Sequence, residues 1–340
     1  MLHTYESYQI KNLHLKNRLV MAPMCMYRSD ISGQAKDFHR IHYGTRAFGG
    51  TGLIIQEATA VTANGRISGR DLGLWEDRQT PGLASIVSQI HEGGAKAGIQ
   101  LAHAGRKCTV AEEQIVAPSS LACDEESRLP HELSQAEIAE VVLAFSDAAR
   151  RAAEAGYDVL EIHAAHGYLI HEFLSPLSNQ RTDEYGGPLE NRLRFLQEII
   201  TAVRQVWPTG QVLLIRLSAT DYLPGGLDIQ ETVRMVDQIK NQVDLIHLSS
   251  GGLLTVPFRT YPGYQVGFAE TVRSKCQVPT IAVGLISCLE QVEDILGNGR
   301  ADLVALGREL LRHPYWPLNN RCTDQDEGCP VPEPYKRAFS

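Results

Sequence analysis

Two histidines three residues apart, His163 and His166, with Tyr168 close behind, give the sharpest chemical signal in the sequence. At that spacing both imidazoles can project to one side, where two ring N–H donors can hold a developing oxyanion such as an enolate. Removing one donor of that kind costs about 2.7–4 kcal/mol in catalysis. Tyr168 can deliver a proton as a neutral phenol. A metal is the rival use, since imidazole is a common zinc ligand, but a catalytic zinc wants a third protein ligand. Glu161 qualifies only if strand alternation puts it on the face of His163. A pair of core histidines is a poorer account, because paired imidazoles need paired partners.

Four further groups invite a ligand. Arg216 is a permanent cation near the end of an apolar run, and a buried unpaired charge is costly. Its partner is either Glu161 or Asp221 in a salt bridge, or a ligand that gains negative charge, as the ring of a reduced flavin does. Gln100 offers a donor and an acceptor, which match the edge of a flavin's pyrimidine ring and equally match buried backbone groups. Cys25 and Tyr27 sit two apart. A nucleophilic cysteine would need a histidine base and an orienting acid. The alternative is a thiol that touches and tunes a cofactor. Gly284, Gly307 and Arg308 resemble a phosphate site, because glycine lets backbone N–H groups approach an anion and Arg308 opens a possible helix. Such a site suits FMN or a phosphorylated sugar. No GxGxxG follows a strand, and no lysine ends one, so a Rossmann dinucleotide site and Schiff-base chemistry lack support.

The elements that must position these groups are legible as eight short apolar runs: Leu19–Met21, Leu53–Gln56, Gly98–Leu101, Val159–His163, Val212–Leu217, Leu245–Leu248, Thr280–Val283 and Leu303–Leu306. Continuous Val/Ile/Leu character suits parallel strands buried on both faces. Helical spacing runs over Ala136–Ala155, with Gly156 as a stop, and over Leu189–Val206. Ser134 with Glu137 and Ser287 with Glu290 fit capping boxes, and Asp228 with Glu231 is a weaker version. Eight alternations predict a (β/α)8 barrel more readily than an open doubly wound sheet. In such a barrel the active site lies at the C-terminal strand ends. Those ends carry Ala22 to Tyr27, Glu57-Ala58, Gln100 and His103, His163 to Tyr168, Arg216, Ser249 to Gly252, Gly284, and Gly307-Arg308. Chance placement would scatter them. The irregular stretch from Arg106 to Leu133 reads as an excursion over the barrel mouth. The Pro-rich tail from Asn319 to Ser340 has no period of its own and is either disordered or docked on a neighbouring subunit.

Composition narrows the class. The chain has 340 residues, 43% apolar and 21% charged, which suits a globular protein with a sizeable core. A net charge of −8 argues against nucleic-acid or anionic-membrane binding, both of which need a basic face. No apolar stretch approaches the roughly 20 residues of a membrane helix, and the polar start from Met1 to Lys11 lacks the order of a secretory signal. A cytoplasmic location is expected. Seven cysteines without a CxxC pair read as free thiols; Cys322 and Cys329 share the tail and would pair only under oxidation.

Several strings resemble the old yellow enzyme family, and in particular its shorter bacterial NADPH dehydrogenase branch, which is also like xenobiotic reductase. They are Leu15-Lys16-Asn17-Arg18, Ala22-Pro23-Met24-Cys25-Met26-Tyr27, Gln100 through Lys107, Asp158 through Gly187, Arg216-Leu217-Ser218-Ala219, Tyr261 through Val266, and Gly307 through Leu311. They span nearly the whole chain in the expected order. The resemblance implies a barrel over residues 1–318 with noncovalent FMN. Ala22, Pro23, Met24, Cys25, Ala58, Gln100 and Arg216 would contact the flavin ring. Gly284, Gly307 and Arg308 would hold its phosphate, with Ser249 and Gly251 nearby. NADPH (or NADH) would reduce the flavin, and an α,β-unsaturated carbonyl compound, nitroalkene or maleimide would accept the hydride from N5 at its β-carbon. His163 and His166 would hold the acceptor's oxygen, Tyr168 would protonate the α-carbon, and Tyr27 would contact substrate. The ending Tyr335-Lys336-Arg337 resembles a segment that sends its arginine, here Arg337, into a neighbouring active site, which implies a homodimer or homotetramer. The loop from Arg28 to Lys36 departs from the family pattern, a difference that bears on substrate preference.

Overall fold

The computed structural model describes residues 2–321 and 331–338. Eight parallel strands close on themselves: β1 (Leu19–Met21), β2 (Leu53–Ala60), β3 (Lys96–Ala102), β4 (Val159–Ala164), β5 (Val212–Ser218), β6 (Leu245–Ser249), β7 (Thr280–Ala282) and β8 (Leu303–Leu306). Each pairs with its sequence neighbours, and β1 pairs with both β2 and β8, which closes the ring. The expected (β/α)8 barrel is therefore the fold, and the open-sheet alternative falls. Every residue of β2, β4, β5 and β6 is buried, as strands covered on both faces require.

The outer layer holds α1 (Asp37–Phe48), α2 (Thr80–Glu92), α3 (Gln135–Glu154), α4 (Leu169–Leu174), α5 (Leu189–Val206), α6 (Ile229–Ile239), α7 (Val266–Cys276), α8 (Leu289–Gly297), α9 (Arg308–Arg312) and α10 (Trp316–Asn319). The spacing places α5 residue for residue and α3 to within one. Ser134 caps α3 by accepting the Glu137 N–H at 3.3 Å, while the Glu137 carboxylate accepts the Ser134 N–H at 2.7 Å. Asp228 caps α6. The box expected of Ser287 and Glu290 is shifted by one residue. Cys288 stands at the cap, and Gln291 reaches back to the Ser287 N–H at 2.9 Å, because an amide three residues inside the helix can accept there as a carboxylate would.

Two apolar layers result. The larger lies between strands and helices and includes Phe145, Phe195, Ile199, Trp207 and Val236. The smaller fills the closed end of the barrel, where the N-terminal hairpin Tyr8–Ile10/Leu13–Leu15 presses Leu13 and Leu15 against Val20, Leu53, Val159, Leu214 and Leu303. The C-terminal strand ends are thereby left as the open rim.

The excursion from Arg106 to Leu133 crosses that rim with one short parallel pair, Val116–Ala117 with His131–Glu132. Its own apolar cluster is small: Ala104, Cys108, Val110 and Ile115, with Tyr168 packed against it. Guanidinium groups supply much of the rest. Arg106 donates to the carbonyls of Leu121, Ala122 and Leu253, Arg128 to those of Val110 and Glu113, and Arg181 to that of Pro118. In the tail, Tyr335 lies against Tyr315, their hydroxyls 3.4 Å apart, and both border the outer face of α1. Cys322 and Cys329 lie outside the described residues; Cys25, Cys108, Cys123, Cys276 and Cys288 are free thiols. Among the described residues no helix is long and apolar enough to cross a membrane.

Candidate active site

The turn after β4 carries the two histidines. His163 is the penultimate residue of that buried strand, and its Nδ1 accepts the Ala165 N–H at 3.2 Å. In the neutral ring the proton then sits on Nε2, which can donate. His166 has a positive φ of 61°, held by three ties. Its N–H donates to Ser218 Oγ at 3.0 Å, its carbonyl accepts from Lys107 Nζ at 2.8 Å, and the next N–H, of Gly167, donates to His171 Nδ1 at 2.8 Å. His171 Nε2 in turn lies 3.0 Å from Asp221 Oδ1. The strained turn is thus over-determined, as a strained functional turn must be to persist.

The rings of His163 and His166 meet edge to face at 5.1 Å, and those of His163 and Tyr168 at 4.9 Å. Burial, aided by the Arg216 charge, holds both histidines well below the usual imidazole range, so they are neutral donors at neutral pH. Burial likewise pushes the Tyr168 phenol far up, and it stays protonated. Glu161, the candidate third zinc ligand, shares the inner face of the strand with His163 but lies one layer deeper and is fully engaged: Oε1 accepts from Gln100 Nε2 at 2.6 Å and Oε2 from His247 Nδ1 at 2.8 Å. No group of three or more candidate ligands forms among the described residues, and the zinc reading loses its geometry.

Arg216 corrects a second alternative. Neither Glu161 nor Asp221 forms a salt bridge with it: Asp221 belongs to His171, and Glu161 to Gln100 and His247. The guanidinium is buried with no hydrogen bond to any described residue, and Nε is sealed from solvent. A buried cation in that state calls for an external anion.

Cys25 and Tyr27 lie two residues apart in the loop after β1 and act on each other electrostatically. The Met26 N–H donates to Glu57 Oε2 at 2.6 Å, which ties the loop after β1 to the end of β2. Burial, with the Asp71 and Glu57 charges, pushes the Cys25 thiol up to about 12. That is the opposite of an activated nucleophile, so the tuning-thiol alternative stands. Alkylation of Cys25 in the flavin-free protein is expected to stay slow through pH 9 and to accelerate only as pH approaches 12. Rapid labelling at pH 7, followed by peptide mass spectrometry, would overturn this assignment.

At the far side of the rim, a cleft of about 440 Å³ is lined by Arg216, Ser249, Gln265, Gly284, Gly307 and Arg308. Gly284 has φ +134°, and a Cβ there would meet the Gln265 backbone nitrogen at 3.1 Å, so the cradle needs glycine. Gly307, which caps α9, lies beside Met24, and the Ala22 N–H donates to Leu306 O at 3.0 Å, so the loop after β1 joins this cleft. A larger cavity of about 920 Å³, lined by Lys107, His166, Tyr168, Ser249, Tyr264 and Gln265 among others, adjoins it through Ser249, Tyr264 and Gln265. Together they form one groove across the rim, with a cationic glycine cradle at one end and His166 at the other; His163 packs against His166 but is not among the lining residues. Gly251, with φ +65°, accepts from Ser218 Oγ through its carbonyl, and Pro23 is buried beside Ala22. These residues fit a flavin mononucleotide: an unpaired buried cation and an amide for the ring, and a glycine cradle with Arg308 for the phosphate. Sequence reasoning gave no role to Lys107, Tyr264 or Gln265, whose loops have no period that would reveal where they fold.

Residues 4–323 match the NADH:flavin oxidoreductase / NADH oxidase family. The chain belongs to that family. It is an FMN-dependent oxidoreductase of the old yellow enzyme type. The NADPH dehydrogenase of Clostridium acetobutylicum is 52% identical over 337 residues, covering 99% of each chain, and that of a Geobacillus species is 56% identical over 315 residues, covering 92% of each. Among solved structures, the old yellow enzyme homologue from Zymomonas mobilis aligns with a TM-score of 0.82 at 26% identity, over 97% of both chains. 2-Naphthoyl-CoA reductase aligns with a TM-score of 0.89 at 26% identity over 93% of this chain, which spans about half (52%) of that longer one.

Proposed function

We propose that this flavoenzyme is an NADPH-dependent ene reductase, built as one barrel over residues 1–318 with the tail of residues 319–340 docking on a neighbouring subunit. Bound FMN would supply a carrier that takes a hydride from NADPH and returns it from N5 to the β-carbon of an α,β-unsaturated ketone or aldehyde, a nitroalkene or a maleimide. Ala22, Pro23, Met24, Cys25, Ala58, Gln100 and Arg216 face the ring. Ser249, Gly251, Gly284, Gly307 and Arg308 take the phosphate end. NADPH as donor is supported by the NADPH dehydrogenases that this chain resembles.

The residues of this chain do the rest. His163 offers its Nε2–H to the acceptor's oxygen; His166, 5.1 Å away ring to ring, has its Nε2 2.7 Å from Ser249 Oγ and becomes the second donor by exchanging that contact for the acceptor. Both are neutral, so they stabilise an enolate without surrendering a proton to it. Tyr168 retains its proton and delivers it to the α-carbon, a base strong enough to take it from a high-pKa phenol. Tyr27, 42% exposed at the rim, contacts the substrate, and the partner subunit's copy of the Arg337 segment completes the pocket in a homodimer or homotetramer. Free thiols throughout the described residues suit a cytoplasmic, reducing setting.

The observation that carries this reading is the convergence of two neutral imidazoles and a protonated phenol beside a buried, unpaired Arg216. Purified protein is expected to be yellow, to bleach with NADPH, and to recover its colour with cyclohexenone or a maleimide. Tyr168→Phe is expected to keep bleaching by NADPH while slowing recovery of colour by cyclohexenone. If folded protein offered excess FMN stays colourless, or if the bleached form ignores every activated alkene, the reading is wrong.

A further inference from the structure

Below the groove lies a buried polar chain that the proposed reaction does not use. Glu161 on β4 is fully buried between Gln100 on β3 and His247 on β6, both also buried. The strand register sets this up: Gln100 is directly opposite Glu161, and Arg216 on β5 is opposite both His163 and His247. Arg216 thus enters the barrel beside the Gln100–Glu161–His247 chain, and the Glu161 charge acts on it without a direct contact.

The chemistry of the chain is directional. A carboxylate only accepts, so the amide nitrogen of Gln100, not its oxygen, must face Glu161. That 2.6 Å bond commits one amide hydrogen and turns the other hydrogen and Oε1 away, with Oε1 unpartnered among the described residues. His247 is neutral in this setting because burial and Arg216 oppose its protonation. It donates from Nδ1 to Glu161, and its Nε2 is buried without a partner. The carboxylate is therefore the anion set against Arg216, and it is held one layer below the place where the cation meets the ligand.

We propose that Glu161 is a positioning residue for the flavin: it locks the Gln100 amide in the orientation that accepts from the ring's imide N–H, and it tempers the Arg216 charge that sets the flavin's midpoint potential. The inference rests on the reading of the groove as the flavin site. Two consequences are separable. Orientation of Gln100 affects binding of oxidised flavin. Tempering of Arg216 affects the difference between reduced and oxidised flavin, because only the reduced ring gains negative charge. With the carboxylate removed, Arg216 attracts the reduced ring more strongly. A tenfold change in the ratio of the two affinities is about 30 mV for a two-electron couple.

The test is FMN titration of the flavin-free protein, together with spectroelectrochemical midpoint potentials of wild type and Glu161→Gln holoenzyme. Glu161→Gln is expected to bind oxidised FMN several-fold more weakly and to shift the potential upward by about 30 mV or more. In a double-mutant cycle, Glu161→Gln made on Gln100→Ala is expected to cost no further affinity for oxidised FMN while still raising the potential. A second variant, Glu161→Asp, keeps the charge but withdraws it from Gln100. It should weaken oxidised FMN binding and leave the potential near wild type, which keeps the idea testable if Glu161→Gln does not fold. An unchanged potential in Glu161→Gln, or a potential shift as large in Glu161→Asp, overturns the charge role. Full FMN affinity in both variants overturns the orienting role. A wild-type protein that takes up no FMN defeats the groove assignment itself, a distinct result seen before any variant is made.

Discussion

Replacing His166 by alanine is expected to lower kcat/KM for enone reduction by about 10²–10³-fold, with a similar loss for His163→Ala, the range typical of one oxyanion donor. In the proposed mechanism the two rings, 5.1 Å apart, act on a single oxygen, so the double variant should fall short of the product of the single losses. Flavin binding should survive, because the cationic cradle and Arg216 are untouched, and the protein should stay yellow. Phenols, which mimic the enolate oxygen, should bind more weakly to each variant. Stopped-flow kinetics separates the effects: reduction by NADPH should change far less than reoxidation by cyclohexenone. Undiminished phenol affinity and reoxidation in the double variant would remove the histidines from the mechanism. The pH profile adds a check. Since burial holds both imidazoles well below their usual range, no loss of activity assignable to them is expected between pH 6 and 8.

Arg216→Met is expected to act in opposite directions on holding the cofactor and on stability. In the flavin-free chain the guanidinium is buried and makes no hydrogen bond or ion pair with any described residue. Removing a buried charge that has no direct partner relieves its desolvation cost, with Glu161 opposing it only at a distance, so the flavin-free variant should melt at a higher temperature than wild type. FMN affinity should fall by about 2–5 kcal/mol, the cost of truncating one partner of a buried charged contact. Calorimetry of the flavin-free proteins and fluorescence titration with FMN test the two halves. A lower melting temperature would show that Arg216 already has a partner in the chain, and an unchanged FMN affinity would show that the flavin is not that partner.

The barrel was legible because its signal is local. Continuous apolar runs, helical spacing and capping pairs are each contained within about twenty residues, and α5 emerged with the bounds the pattern predicts, Leu189–Val206. The clustering of polar residues at strand ends was legible for the same reason, once the barrel supplied the rule that strand ends meet. What stayed hidden was pairing. Glu161 was a candidate partner for Arg216 or a metal, and periodicity along β4 cannot tell that its two oxygens belong to Gln100, 61 residues earlier, and His247, 86 residues later. Asp221 was similarly claimed by His171. Whether Cys25 is activated also depends on burial and on Asp71 and Glu57, which are remote in sequence. The capping residue of α8 slipped by one because Gln291 and Glu290 are equally able to reach back, and only the backbone decides between them.

The way the excursion over the rim is fastened has a consequence for how this enzyme can change. Its own apolar cluster is small, and Arg106, Arg128 and Arg181 clasp it through main-chain oxygens. A carbonyl is present whatever side chain is attached to it, so these clasps do not depend on the identities of the residues they grip. The roof of the acceptor cavity can therefore exchange its side chains, and with them the shapes of molecule it admits, while the barrel beneath keeps its packing. Under the proposed reaction, new acceptors become reachable by substitution in the roof alone, with the hydride and proton chemistry below left as it is.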